Sequence, residues 1–153
     1  MRKSSAPDPV LKNLMPLVAQ SARQWRRAID RQLQPLGLTE ATWLPLLHLS
    51  RAAEAPRQKD LAGALQLDSS SVVRLLDALQ AAGFITREEG QDRRAKTIVL
   101  TDAGRAVALQ VEAVIDTVRT RYLGGLPRQD LDTALRVIQR IADMLTADLG
   151  TAP

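Results

Sequence analysis

The sequence contains no cysteine and only one histidine, His48. The first absence excludes disulfides, thiolate metal ligands, a catalytic cysteine and thiol-based redox sensing together. The second excludes a His-rich zinc site. Aromatic residues are nearly as scarce: Trp25, Trp43, Phe84 and Tyr122 are the full set among 153 residues. The core must therefore be built from Leu, Val, Ile and Ala, and a small chain with so little aromatic bulk is expected to bury further surface against a partner subunit. No apolar run approaches the ~20 residues of a membrane span. The opening "MRKSSAPDPV" is not followed by the apolar segment of a signal peptide, so a cytoplasmic location with no membrane partner is expected. A nucleophile–base pair, a phosphate-binding glycine loop and a metal-ligand cluster are also missing. Glu88, Glu89 and Asp92 fall on a predicted exposed hairpin, not in a cleft. No enzymatic activity, catalytic residue, metal or cofactor is expected.

What is present is helix, interrupted once. Leu11, Leu14, Val18, Ala22, Trp25, Ile29 and Leu33 recur at spacings of three and four, predicting one long helix from Val10, with a kink or a separate first turn at Pro16. Pro35 and Gly37 end it. Thr39 is placed to cap a second helix, "EATWLPLLHLS", with Pro45 just past its first turn. "RAAEAP" predicts a loop with a short strand. "RQKDLAGALQL" predicts a short helix with Leu61, Ala62 and Leu65 inward. "DSSSVVRLLDALQAAG" predicts another, capped by Asp68, stopped by Gly83, and striped by Val72, Leu75, Leu76 and Leu79. About three residues, 66–68, join this pair, which is helix-turn-helix spacing. Strand-like runs follow at Phe84–Glu89 and Lys96–Leu100, around a turn at Gly90. Thr101 caps a helix striped by Ala103, Val107, Val111, Val114, Ile115 and Val118. After "LGGLP", a last helix carries Leu131, Leu135, Ile138, Ala142 and Leu145, nearly a heptad seam.

A helix pair followed at once by a hairpin is a winged helix. The expected fold is mainly α with a small β-hairpin wing: a flexible arm over 1–9, a winged helix-turn-helix lobe over 37–101, and helical dimerisation segments over 10–36 and 102–149. The flanking helices are too long for the small module to need, so a second copy is the simplest cover for their apolar faces.

The chemistry of such a lobe lies at the start of its second helix, which enters the major groove. Here that is "SSSVVR". Ser69, Ser70 and Ser71 offer small hydroxyls, Val73 points outward where a thymine methyl would meet it, and Arg74 has the fork for a guanine edge or a phosphate. A capping cluster followed by a solvated arginine has the same composition. In the hairpin tip, Arg93 and Arg94 suit a narrow minor groove. Asp92 is expected to orient an arginine or the turn, and Asp77 to pair with Arg94 and hold the wing. A charged solvated tip remains the alternative. Between Arg57 and Lys96 seven cationic and six acidic side chains nearly cancel, so placement, not bulk charge, would decide DNA binding.

Taken together, "QKDLAGALQLDSSSVVRLLDALQAAGFITREEGQDRRAKTIVLTDAG" resembles the winged helix of the MarR family of bacterial transcriptional regulators. The shared features are the "DLA…L" helix, the "VVRLLDALQAAGFI" passage, the "DRR" wing and the "LTDAG" exit, over roughly residues 35–105. The resemblance implies a homodimer held by its N- and C-terminal helices on pseudo-palindromic double-stranded DNA, with Arg93 in the minor groove. Val73 departs from the polar residue often found at its position, and Pro16 and Pro45 interrupt helices that usually run unbroken. Many members are released from DNA by small anionic or phenolic compounds bound between the dimer helices and the DNA-binding lobe. Trp25, Trp43 and His48, with Arg23 or Arg26 for a carboxylate, are the candidates here for such a pocket. Core packing for Trp25 and a structural role for His48 are the plainer readings. The expected function is a dimeric sequence-specific regulator, a repressor released by a small aromatic or anionic effector. The competing function is a winged-helix protein-interaction module without effector-controlled DNA binding, which the near-neutral 57–96 segment motivates.

Overall fold

The computed structural model of the chain describes residues 8–89 and 96–150. The elements run α1 (Pro9–Leu33), a 3-10 turn (Gln34–Leu36), α2 (Glu40–Arg51), α3 (Gln58–Leu65), α4 (Ser69–Ala81), β1 (Ile85–Glu89), β2 (Lys96–Leu100), α5 (Asp102–Leu123) and α6 (Arg128–Gly150). This is the winged-helix order. The chain divides into two compact units at Val118, within α5. Among the described residues no helix is long and apolar enough to cross a membrane.

Local chemistry sets most of the boundaries. The Asp8 carboxylate accepts from the Val10 amide at 2.9 Å, and Pro9 occupies the first turn, where its missing N–H costs nothing. α1 then runs through Pro16 as one element, so of the two outcomes expected there, a kink or a separate first turn, the second does not occur. Gly37 closes the 3-10 turn at φ +72°. Thr39 stands at the cap of α2, where its carbonyl accepts from the amides of Thr42 (2.8 Å) and Trp43 (2.9 Å), while its hydroxyl lies 3.4 Å from that of Thr42. α4 ends as its sequence predicts. Gly83 turns left-handed at φ +78°, and the Phe84 amide reaches back to the Leu79 carbonyl at 3.0 Å.

β1 and β2 pair antiparallel from Ile85↔Leu100 to Glu89↔Lys96. The strand expected in "RAAEAP" shrinks to one bridge, Arg57↔Thr97, beside a bond from the Ile98 amide to the Pro56 carbonyl at 2.9 Å. Pro56 closes that segment without an amide donor, which shortens the ladder.

The unit ending at Val118 holds two aliphatic cores. One joins Leu46 and Leu49 of α2 to Leu61, Val72, Leu76, Leu79, Ile85, Ile98 and Leu100. The other joins Ile29 and Leu33 of α1 to Leu38, Trp43 and Leu47, and to Val111, Ile115 and Val118 of α5. α2 is apolar on both sides because it is shared between them. On α5 the buried face begins at Gly104 and Ala108; Ala103, expected inside, is exposed. The reason is a close approach at Gly104, whose backbone lies so near Phe84 that an added Cβ would fall 2.0 Å from the Phe84 carbonyl oxygen. The contact turns Ala103 outward.

In the second unit, α6 has no buried residue, and Leu135, Ile138, Leu145 and Leu149 are exposed along it. In the first, Val10, Leu11 and Leu17 are exposed on the N-terminal half of α1.

Candidate nucleic-acid interface

α3 and α4 are joined by three residues. Gln66 takes a left-handed conformation (φ 54°), and the Leu67 amide closes the turn onto the Ala62 carbonyl at 2.9 Å. Asp68 then starts α4. Its carboxylate accepts from the Ser71 amide at 2.8 Å and from the Ser71 hydroxyl at 2.7 Å. These two bonds, the amide's first, hold the Asp68 carboxyl below the usual carboxylate range, against a small opposing cost of desolvation. Ser71 is thereby half-buried and bound into the cap, whereas Ser69 and Ser70 are exposed.

The next turn of α4 separates inward from outward residues. Val72 and Leu76 are buried in the lobe's core. Val73 and Arg74 face out, and Val73 leaves 38% of its surface to solvent. The first turns of α4 therefore present two hydroxyls, one branched apolar side chain and one guanidinium on an uncovered face. That set matches the donors, acceptors and thymine methyls of a major groove.

Asp77, one turn further on, is bound to the hairpin. Arg87 of β1 donates from Nη2 to Asp77 Oδ1 at 2.6 Å. The Arg87 Nε is buried and has no hydrogen-bond partner among the described residues. Arg94, the partner expected for Asp77, lies outside the described residues, as do Asp92 and Arg93. The observed tie is made from the base of the hairpin. Sequence reasoning missed Arg87, yet a signal existed: period two from buried Ile85 puts residue 87 on the inward face of β1.

The residues proposed for an effector lie on α1 and α2. Trp43 is buried in the second core, with Nε1 3.4 Å from Asp30 Oδ1. Trp25 is half-buried against that core. Arg26 lies 3.6 Å from Glu40, and Arg23 and His48 are exposed. An open cleft of about 490 Å³ lies elsewhere, lined from the C-terminal end of α2, from β2 and from the start of α5, and none of those five residues borders it. At its rim Arg51 grips Glu112 with two bonds, Nε to Oε1 at 2.7 Å and Nη2 to Oε2 at 2.8 Å. The hydrogen bond to Glu112 raises the Arg51 pKa, desolvation opposes it, and the charges of Glu112 and Asp116 add to the rise. Those partners are 61 positions apart, and no local pattern announces them.

Comparison with known proteins places this geometry. Residues 36–95, which take in α2, α3, α4 and β1, match the profile of the MarR family. The crystal structure of transcriptional regulator PA3341 is similar over 88% of this chain and 98% of its own, at 37% identity and a TM-score of 0.82. CouR from Rhodococcus jostii RHA1, solved with p-coumaroyl-CoA, is 27% identical, with a TM-score of 0.75 over 88% of this chain and 95% of its own. MepR of S. aureus, solved as a DNA complex, shares the fold at 22% identity, with a TM-score of 0.72 over 84% of this chain and 95% of its own.

Proposed function

The chain belongs to the MarR family of transcriptional regulators, and on that premise we propose that it acts in the cytoplasm as a homodimeric repressor of its own set of promoters. It binds a pseudo-palindromic operator and leaves it when a small aromatic or anionic effector binds. One observation carries the reading. The core fixes α4 through Val72, Leu76 and Leu79, while the opposite side of its first turns leaves Ser69, Ser70, Val73 and Arg74 uncovered. A solvated helix has no use for an exposed valine between serines and an arginine; a major groove has one for each.

Each subunit inserts α4, and the hairpin reaches the neighbouring minor groove through Arg93, with Arg94 beside it and Asp92 orienting the tip. Two copies present two such helices, which must meet grooves ~34 Å apart. The apolar residues exposed on α1 and α6 are the surface a second copy would cover, consistent with dimerisation through 10–36 and 102–149 around a lobe spanning 37–101. MepR, with the same fold, is known on DNA, and CouR with a CoA thioester. These precedents favour DNA and a small ligand as the two partners here.

Fluorescence anisotropy with duplexes from the chain's own upstream region tests the reading. Affinity should exceed that for scrambled duplex and fall steeply with salt. Arg74→Ala combined with Arg93→Ala should abolish the preference. A double variant that binds like the parent would end the proposal.

A further inference from the structure

We propose that the cleft between α2, β2 and α5 is a binding site for a medium-chain aliphatic carboxylate, which takes Arg51 from Glu112 as it enters. The apolar wall is formed by Leu49, Ala55, Ile98, Leu100, Ala108 and Leu109. None of the four aromatic side chains borders it, so it offers no stacking platform. Its volume, about 490 Å³, lies in the range of small-molecule sites, about 300–1,000 Å³. An alkyl chain fits such a wall, where burial of apolar surface is the driving force.

The polar rim selects the other end of the ligand. Two guanidinium groups border the cleft, Arg51 and Arg105. Arg105 is committed at short range, from Nη1 to the Leu100 carbonyl (2.7 Å) and from Nη2 to Asp102 (2.6 Å). Among the described residues Arg51 hydrogen-bonds to another carboxylate, Glu112, in a fork-to-fork pair, with the charge of Asp116 acting on it as well. Both members are part-exposed, at 52% and 32% of their side chains, and such pairs add little to stability. A ligand carboxylate can therefore take the same fork: the screened pair that it breaks costs little, and the bound alkyl chain shields the new bond from water. The alkyl chain adds apolar burial to that bond. An alcohol cannot make the exchange.

The exchange has a structural consequence. The Arg51–Glu112 pair ties α2, which is shared by both cores, to α5. Severing it frees the lobe that carries α4 to shift relative to α5. This regulatory step rests on the DNA-binding function proposed above; occupation of the cleft does not.

Calorimetry on the full chain with octanoate and with 1-octanol tests the site. Octanoate should bind once per chain and 1-octanol roughly tenfold more weakly, as fits loss of a charge-assisted bond. Arg51→Met should bring octanoate down to the level of 1-octanol and leave 1-octanol unchanged. Glu112→Gln should tighten octanoate, because the competing carboxylate is gone. Leu109→Trp, at an exposed position, should weaken both by filling the cleft. Equal binding of octanoate and 1-octanol, or an octanoate affinity indifferent to Arg51→Met and to Glu112→Gln, overturns the site. With DNA present, octanoate should release the parent protein. Arg51→Met severs the pair without ligand, so it should bind DNA more weakly than the parent, and parental DNA affinity in that variant overturns the switch. A parent that binds no DNA defeats the regulator reading alone, since the calorimetric result stands without it.

Discussion

Arg87 Nη2 donates to Asp77 Oδ1 at 2.6 Å, tying the base of the hairpin to the middle of α4. α4 and the hairpin, the parts proposed to meet DNA, are joined by this ion pair as well as by the core beneath them. Asp77 is 58% exposed and Arg87 24%, so solvent screens the pair and its share of folding stability is small, about 1 kcal/mol or less. Its larger role is angular. A hairpin that rocks against α4 cannot present both elements to adjacent grooves.

Asp77→Asn and Arg87→Met are therefore expected to weaken operator binding several-fold while leaving the melting temperature within a few degrees of the parent. The reversed pair, Asp77→Arg with Arg87→Asp, should recover part of the lost affinity, which a defect in folding alone would not do. Anisotropy titrations alongside thermal melts decide the matter; losses in melting and in binding that run in proportion would assign the pair a merely structural role.

Gly104 gives a second expectation, about stability. An added Cβ would lie 2.0 Å from the Phe84 carbonyl oxygen and 3.2 Å from Leu100 Cδ2. The first obstacle is backbone, and the same carbonyl already accepts from the Thr101 amide at 3.0 Å, so it cannot retreat without breaking the entry to α5. Gly104→Ala should cost about 1–3 kcal/mol or more, as overpacked sites do. Chemical denaturation is the measurement, and an unchanged midpoint would show that α5 can back away freely.

These two cases show how far the sequence is legible. Asp68, Gly83 and Thr101 announce the ends of their helices because capping is local: donor and acceptor lie within a few residues. The Thr101 hydroxyl accepts from the Gly104 amide at 3.0 Å, as its position implies. The wing and the helix pair were legible for the same reason. Arg51 with Glu112, and Asp77 with Arg87, depend on which faces meet after folding. Arg94, the partner expected for Asp77, lies outside the described residues; among those described, the side chain that reaches Asp77 is Arg87, a strand residue on the inward face of β1. The cleft was invisible because its walls come from three elements, and the scarce aromatics, which draw the eye as ligand contacts, are spent on the core at Trp43.

Asp68 carries a pH dependence. Its carboxyl is held below the usual range by the Ser71 amide and hydroxyl, so it contributes stability that is fully present above the ordinary carboxylate pKa. That contribution is lost as pH falls through the lowered value in the folded state. The stability difference between the parent and Asp68→Ala should be constant near neutrality and close in acid, below the ordinary range. Asp68→Asn keeps an acceptor for the Ser71 amide without the charge, and its difference from Asp68→Ala should stay flat with pH. Urea midpoints measured across the acid limb test this; a parallel decline of all three proteins would remove Asp68 from the account.

On α6, Leu135, Ile138, Leu145 and Leu149 leave an apolar row uncovered. If a second copy covers that row, Ile138→Asp with Leu145→Asp should convert a dimer into monomers by sedimentation, at unchanged helicity. Dimers that persist in the double variant would place the contact elsewhere.

Arg74 separates two ways of touching DNA. It stands one residue after exposed Val73, on the side of α4 away from the buried stripe, within the part proposed to enter a groove. A guanidinium there is expected to fork onto a guanine edge. Arg74→Ala should then cost about 1–3 kcal/mol on the preferred operator and much less on an operator changed at the contacted pair, so that discrimination falls with affinity. Arg74→Lys should not rescue it, because a point charge cannot make the two-pronged contact. The salt slope should stay near that of the parent, since no phosphate contact is lost. A uniform loss on every duplex, with the slope reduced by about one, would instead make Arg74 a phosphate clamp and leave Ser69, Ser70 and Val73 to read the sequence.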